Sequence, residues 1–185
     1  MNILITISIL LVSIMLSVDA GAQSHSGAVV VNIRFLPVQT IAVQSSQKTT
    51  DLVYATPEDY ENGVSVTHGD HLTVFSSGGF QVSVAAGDDH FKRVEGSEVI
   101  SLADVIVRAG NGSNSGPNTI YTEAALSVTP SSIIESEEGG KDLKYNVTYD
   151  NRIAGSANKY IDKYVKADGV ETVYSAKVTY TITTR

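Results

Sequence analysis

The chain contains no cysteine and no tryptophan, and its basic residues are few. Without cysteine, neither disulfide bonds nor thiolate metal sites can form, so the fold depends on burial and hydrogen bonding alone. The 13 lysine and arginine residues are scattered among 20 acidic residues, with only Lys92 and Arg93 adjacent, which leaves a net charge of −7. This charge pattern argues against nucleic acid and anionic membrane surfaces as partners.

No arrangement of residues typical of an active site occurs in the sequence. A Gly-x-Ser-x-Gly nucleophile elbow is absent, and the nearest match, Gly112-Ser113-Asn114-Ser115-Gly116, lies in a polar tract with no strand leading into a helix. We therefore predict that the protein is not an enzyme, has no catalytic residues and needs no cofactor.

Two short motifs combine carboxylates with imidazoles and are the candidates for a metal site. Asp88-Asp89-His90 and Asp70-His71 offer ligand types that calcium or zinc accepts in protein loops. Acidic turns are common without metal, however, and the spacing of an EF-hand loop is missing. We therefore predict no metal site, and an ion held by the Asp88-Asp89-His90 loop is the alternative.

An apolar stretch opens the chain. Residues 3–16 carry no charged side chain, and the small residues Ala20-Gly21-Ala22 follow them. The stretch is shorter than the roughly 20 apolar residues that span a bilayer, and the small residues fit a signal-peptidase site. We expect a cleaved signal peptide over residues 1–22, with an uncleaved membrane anchor as the alternative. The protein is then secreted and meets the membrane only through this signal.

Apolar and polar residues alternate with period two through much of the remaining chain, which is typical of half-buried β-strands. In residues 28–36, the side chains of Val29, Val31, Ile33 and Phe35 fall on one face of a predicted strand. The other clear strands cover residues 71–77, 80–84, 143–149 and 174–182.

Turn residues and weaker strands complete the prediction of the fold. Ser77-Gly78-Gly79 predicts a hairpin between residues 71–77 and 80–84, and Thr56-Pro57-Glu58-Asp59 predicts a turn. Only residues 153–166 have a pattern that suits a helical turn or two. The weaker strands cover residues 38–43, 52–55, 64–67, 99–107 and 120–128.

About 8–10 short strands separated by turns predict an all-β fold, specifically an immunoglobulin-like Greek-key β-sandwich. A closed barrel is the alternative. The sandwich is expected to form a single domain over residues 23–185, because the glycine- and serine-rich tract of residues 110–117 is typical of one flexible loop rather than of a linker between domains.

The order of several short segments resembles a known group of proteins. Asn32-Ile33-Arg34-Phe35-Leu36-Pro37-Val38-Gln39-Thr40-Ile41 contains an alternating strand and a bend at proline. The later segments are Asp59-Tyr60-Glu61-Asn62-Gly63-Val64-Ser65, His71-Leu72-Thr73-Val74, Phe80-Gln81-Val82-Ser83-Val84 and the terminal Val178-Thr179-Tyr180-Thr181-Ile182-Thr183. This order resembles small exported fimbrial-type β-sandwich proteins of Bacteroidota and, more distantly, colonisation-factor subunits of the alternate chaperone-usher route.

The resemblance implies a structural subunit of a surface filament that polymerises by donor-strand exchange, in which the N-terminal strand of one copy completes the sheet of the next. Val29, Val31, Ile33 and Phe35 would fill the groove of the neighbouring copy. The implied partners are other copies of the chain, a periplasmic chaperone and an outer-membrane usher, and the implied location is the cell surface after transit through the periplasm. The chain departs from better-known pilins because it lacks their disulfide and because Tyr180 is not in the penultimate position that many of them use.

Two alternatives stay open at the level of sequence. Residues 28–36 could be an ordinary first strand that pairs within its own chain. The protein could also be a monomeric secreted β-sandwich that binds carbohydrate or protein, with exposed tyrosines and the loop of residues 110–117 as its site. Most of the 9 tyrosines fall at inward-facing strand positions, which favours a role in packing over a role in such a binding site.

Overall fold

Residues 25–94, 96–165 and 169–185 are described by a computed structural model, and the chain divides after Phe35 into two units. In the first unit, residues 25–35 contain no helix and no strand. The predicted signal peptide, residues 1–22, lies outside the described residues. Within the described ranges, no helix has the length and apolar character needed to cross a membrane.

The second unit consists mainly of short strands. Its described part contains β1 (Gln39–Val43), β2 (Ser65–Ser76), β3 (Phe80–Ala86), β4 (His90–Arg93), β5 (Val99–Ser101), β6 (Ile106–Asn111), β7 (Ile120–Tyr121), β8 (Glu123–Ala125), β9 (Ser131–Ser136), β10 (Gly140–Asp150), β11 (Tyr174–Ser175) and β12 (Val178–Thr184). One α-helix, α1 (Pro57–Asn62), and two 3-10 turns, Ser45–Gln47 and Leu102–Asp104, lie between them. The predicted all-β fold is confirmed.

Two antiparallel sheets hold most of these strands. One sheet has five strands in the order β1-β2-β10-β6-β8, and the other has four in the order β12-β3-β9-β7. A smaller sheet contains β11, β4 and β5. Buried residues from both large sheets form one shared core. The immunoglobulin-like Greek-key connectivity stays a prediction.

The core follows the period-two alternation of the sequence. On β3, Phe80, Val82 and Val84 are almost fully buried, while the residues between them are only partly covered. β10 contributes Leu143 and Tyr145 in the same way. Successive side chains of a strand point to opposite faces, so alternation places one apolar set between the sheets. Burying each such side chain contributes about 1.5–3 kcal/mol.

The predicted hairpin between β2 and β3 is wrong. β2 pairs with β1 and β10 in the five-stranded sheet, whereas β3 pairs with β12 and β9 in the four-stranded sheet. The Ser77-Gly78-Gly79 turn therefore carries the chain from one sheet to the other, and residues 137–139 do the same between β9 and β10. Turn-forming residues indicate a tight reversal, which a hairpin and a crossing between sheets both require.

The turn predicted at Thr56-Pro57-Glu58-Asp59 is the start of α1. The backbone N–H of Thr56 donates to the Asp59 carboxylate at 2.7 Å, and the backbone N–H of Asp59 donates to the Thr56 hydroxyl at 3.3 Å. These two bonds form a capping box, and Pro57 occupies the first turn, where its missing N–H is not needed.

The helical turns predicted over residues 153–166 are also wrong for the part that is described. Residues 153–165 form successive turns and one isolated bridge. Ala157, Asn158 and Asp162 have φ angles of 53°, 59° and 60°. Positive φ angles are incompatible with a right-handed helix. The spacing of apolar residues in this stretch therefore does not indicate a helix.

Candidate functional site

The most exposed large apolar side chains of the described chain lie within residues 29–36. Val29, Val31, Ile33 and Phe35 are 78–91% exposed, and residues 25–38 belong to no strand. The strand predicted over residues 28–36 is therefore not formed in the single chain. A contiguous apolar surface of this kind is typical of an interaction site.

A second feature is the open side of the sandwich between β1 and β12. Among the described strands, β1 is an edge of the five-stranded sheet and β12 is an edge of the four-stranded sheet. The two strands are near neighbours, but they form no ladder with each other. An edge strand leaves alternate N–H and C=O groups without a sheet partner.

The inward-facing side chains on this open side are only half-buried. They are Ile41 and Val43 on β1, and Val178, Tyr180 and Ile182 on β12. They pack against the core but are not covered from outside. We call this surface, together with the free edge of β12, the β1/β12 groove. The sequence predicted that alternate residues of 174–182, among them Val178, Tyr180 and Ile182, share one apolar face, but alternation alone does not show that this face stays partly open.

One end of the β1/β12 groove deepens into a cavity of about 460 Å³, which we call the end cavity. The apolar part of its lining includes Val43, Leu52, Phe91, Val105, Leu126 and Val178, and Thr50 is among the polar residues that also line it. Leu52 lies within residues 48–56, which contain no strand although the sequence predicted one at residues 52–55.

A hydrogen-bonded network forms the polar floor of the end cavity. The Tyr180 and Tyr149 hydroxyl oxygens are 2.6 Å apart, and the Tyr149 hydroxyl lies 3.3 Å from His71 Nε2. His71 Nδ1 is 3.0 Å from Oε1 of Gln47, an oxygen that can only accept. Nδ1 therefore carries the proton, Nε2 accepts from Tyr149, and the Tyr149 hydroxyl accepts from Tyr180.

Burial sets the protonation states in this network. It lowers the pKa of His71 to about 4, with a smaller contribution from the neighbouring imidazole of His68. The two rings are stacked, with centroids 5.1 Å apart. Burial also raises the pKa values of Tyr149 and Tyr180. At neutral pH the floor therefore contains an uncharged imidazole and two uncharged phenols.

Five of the nine tyrosines form a continuous series of ring contacts elsewhere on the sandwich. The series runs Tyr60, Tyr54, Tyr160, Tyr164, Tyr174, with successive ring centroids 5.2, 5.4, 5.1 and 5.4 Å apart. The Tyr160 hydroxyl donates to the Asp104 carboxylate at 2.7 Å. These rings are buried or half-buried against one another. Their main role is therefore packing, and they do not form a flat face for binding.

The loop of residues 110–117, predicted to be flexible, is tied to the sheet by hydrogen bonds. The Asp70 carboxylate accepts from the backbone N–H of Ser113 at 2.8 Å and from its hydroxyl at 2.6 Å. The Asn114 carbonyl accepts from the backbone N–H of Lys144 at 2.8 Å. Asp70 has a φ of 49°, a left-handed conformation that aspartate tolerates better than most residues.

The two candidate metal motifs use their side chains in other ways. Asp70 binds Ser113, and His71 lies in the floor of the end cavity. Asp88 accepts from Lys92 at 2.8 Å, and His90 lies 3.3 Å from the Asp89 carboxylate. Within the described ranges, no group of three or more histidine, aspartate or glutamate side chains is arranged to hold a metal ion.

The exposed segment and the β1/β12 groove are complementary in chemistry. The segment is an alternating apolar stretch, and the groove combines a free strand edge with half-buried apolar side chains. An added strand can pair with such an edge through main-chain hydrogen bonds and fill the groove with alternate side chains. No protein-family model matches the chain, and no curated protein matches it either.

Proposed function

We propose that the protein is a structural subunit of a surface filament that polymerises by donor-strand exchange. In this proposal, Val29, Val31, Ile33 and Phe35 of one copy enter the β1/β12 groove of the next. The observation that carries the proposal is the 78–91% exposure of these four side chains at alternate positions. Their burial would contribute about 6–12 kcal/mol before the entropy lost on association is subtracted.

The strand directions favour pairing between copies. β1 is antiparallel to β2, β12 is antiparallel to β3, and a three-residue turn reverses the chain between β2 and β3. β1 and β12 therefore run in opposite directions. A segment added antiparallel to β12 runs parallel to β1, and a parallel neighbour within one chain needs a connection of about a dozen residues. Only Leu36, Pro37 and Val38 separate Phe35 from β1.

An open edge also needs cover before assembly, because unpaired strand edges promote aggregation. In this proposal the chain is exported through its signal peptide, and a periplasmic chaperone pairs with the free edge of β12. An outer-membrane usher then exchanges the chaperone for the N-terminal segment of another copy. The finished filament lies on the cell surface.

The proposal can be tested by removing the segment and adding it back. A chain starting at Gln23 is compared with one starting at Val38, which keeps the backbone hydrogen bonds of Val38 to Ser77. Size-exclusion chromatography and thermal melting are run with and without a peptide of residues 27–36. We expect concentration-dependent ladders from the longer chain, and a loose, soluble short chain whose melting temperature the peptide raises. A sharply melting monomer, together with a short chain that the peptide does not stabilise, would refute the proposal.

A matched pair of substitutions separates the apolar face from general effects of charge. Ile33→Asp places a charge on the face that enters the groove, whereas Asn32→Asp places one on the opposite face. We expect Ile33→Asp to abolish the ladders and the rescue by peptide, and Asn32→Asp to retain both. Equal effects of the two substitutions would show that the segment does not act as an inserted strand.

A further inference from the structure

Two lysines stand at the mouth of the end cavity in a protein that is acidic overall. Lys48 and Lys177 line the cavity and are exposed, whereas Val105 and Leu126 line it and are buried. The lysines therefore mark its opening to solvent, and the apolar side chains mark its inner end. Neither lysine forms an ion pair within the described part of the chain.

The local charge at this opening is opposite to that of the whole protein. No aspartate or glutamate of the described residues lines the end cavity, although acidic residues outnumber basic ones by 20 to 13 over the chain. A cleft lined by charge of one sign, with low-dielectric walls, attracts ligands of the opposite sign. The mouth of the cavity is therefore suited to an anionic group.

The interior of the cavity is suited to an apolar group. Its walls are aliphatic or aromatic apart from Thr50, whose hydroxyl lies 2.8 Å from His68 Nε2. The polar groups on its floor bond to one another in the series Tyr180, Tyr149, His71 and Gln47. An apolar chain can lie against these rings without leaving a buried donor or acceptor unpaired. A volume of about 460 Å³ also falls within the range of pockets that hold small ligands.

We propose that the end cavity binds a small apolar molecule that bears a carboxylate, of the fatty-acid type, with the chain between the two sheets and the carboxylate at Lys48 and Lys177. This site does not depend on strand exchange. It assigns a role to the two unpaired lysines, which the filament proposal does not use, although Val43, Val178 and Tyr180 line both the end cavity and the β1/β12 groove.

The test is titration of the chain starting at Gln23 with decanoate, followed by calorimetry and by methyl NMR. We expect saturable binding, with shifts at the methyl groups of Leu52, Val105 and Leu126 and none at Leu143, which lies outside the cavity. Octanoate is two methylene groups shorter and should bind about 15-fold more weakly if the chain is buried. Decyltrimethylammonium has the same chain length and the opposite charge, and it should bind more weakly than decanoate.

Charge removal at the mouth gives a matched comparison. Lys48→Gln and Lys177→Gln together should weaken decanoate binding about tenfold, because exposed ion pairs each contribute modestly. Lys141→Gln and Lys163→Gln together remove two exposed lysines that do not line the cavity, and they should leave the affinity unchanged. The ladders expected from strand exchange should be the same in both double variants, so the two proposals can fail separately.

Three results would overturn the inference. One is binding of decyltrimethylammonium as tight as that of decanoate, and another is an unchanged affinity in the Lys48 and Lys177 double variant. The third is shifts of the Leu52, Val105 and Leu126 methyl groups with the peptide of residues 27–36 but not with decanoate. In that case the end cavity is the inner part of the strand groove and holds no separate ligand.

Discussion

The hydroxyl oxygens of Tyr149 and Tyr180 lie 2.6 Å apart and join the two sheets by a hydrogen bond. Tyr149 is on β10 of the five-stranded sheet, and Tyr180 is on β12 of the four-stranded sheet. Tyr149 also contacts His71 of β2, so the bond belongs to a network that crosses the end of the core. The edge strand β12 is thus held to the opposite sheet by a polar contact as well as by apolar packing.

Tyr180→Phe should lower the free energy of unfolding by about 1 kcal/mol, because it removes one buried hydrogen bond and keeps the ring. Tyr121→Phe is the matched control, since the Tyr121 hydroxyl donates to Asn111 in an exposed position. Urea denaturation of both variants measures the difference. If the two substitutions have equal effects, the contact between the sheets contributes no more to stability than an exposed hydrogen bond does.

Stability should decrease as the pH falls from about 6.5 to about 4. Burial lowers the pKa of folded His71 to about 4, whereas in the unfolded chain its pKa lies near 6.5. The unfolded state therefore takes up a proton first, so the stabilisation present above pH 6.5 is lost progressively toward pH 4. The surrounding His68, Tyr149 and Tyr180 offer no negative charge in compensation. This pKa shift of His71 corresponds to a loss of about 3 kcal/mol at most in the free energy of unfolding.

Denaturation curves measured across this pH range check the prediction in two variants. His71→Gln should flatten the dependence, whereas His90→Gln, at a half-exposed position, should retain it. The carboxylates contribute at lower pH, because hydrogen bonds from Arg152 lower the pKa of Asp150 and those from Ser113 lower that of Asp70. A stability that is constant from pH 6.5 to 4.5 in the parent chain would contradict the assignment to His71.

Gly139→Ala should destabilise the fold by about 1–3 kcal/mol through overpacking. A Cβ atom at Gly139 would lie 2.6 Å from the backbone nitrogen of Gly78 and closer still to the carbonyl oxygen of Ser76. The two turns that cross between the sheets pack against each other at this point. Gly78→Ala is the control, since a Cβ there meets no atom within 4 Å. Thermal melting should separate the two variants, and similar melting temperatures would show that the turns can move apart.

Asp70→Asn should loosen the loop of residues 110–117 without straining the backbone. Asparagine tolerates the left-handed conformation of Asp70, but it lacks the charge that strengthens the bonds to the Ser113 N–H and hydroxyl. We expect faster amide hydrogen exchange at Ser113. Asp88→Asn, which removes the charge from an exposed ion pair, should leave that exchange rate unchanged. Unaltered exchange in Asp70→Asn would mean that other contacts hold the loop.

The local sequence pattern predicts the features of the fold that depend on a single strand. The alternation at Phe80, Val82 and Val84 predicts their burial, because a pleated strand has period two whatever its neighbours are. The same pattern cannot distinguish a hairpin at Ser77-Gly78-Gly79 from a crossing between sheets. The exposed side chains of Val29, Val31, Ile33 and Phe35 show an alternation of the same kind, so pattern alone does not separate a core strand from an unpaired segment.

The sequence by itself determined an all-β chain without disulfides, and it determined which face of each clear strand is apolar. These properties follow from composition and from the geometry of single strands. Only the tertiary structure decided that Val178 and Tyr180 stay half-buried on an open side, and that Lys48 and Lys177 meet at one cavity. Such features depend on which strands become neighbours, and contacts between residues far apart in the chain decide that order.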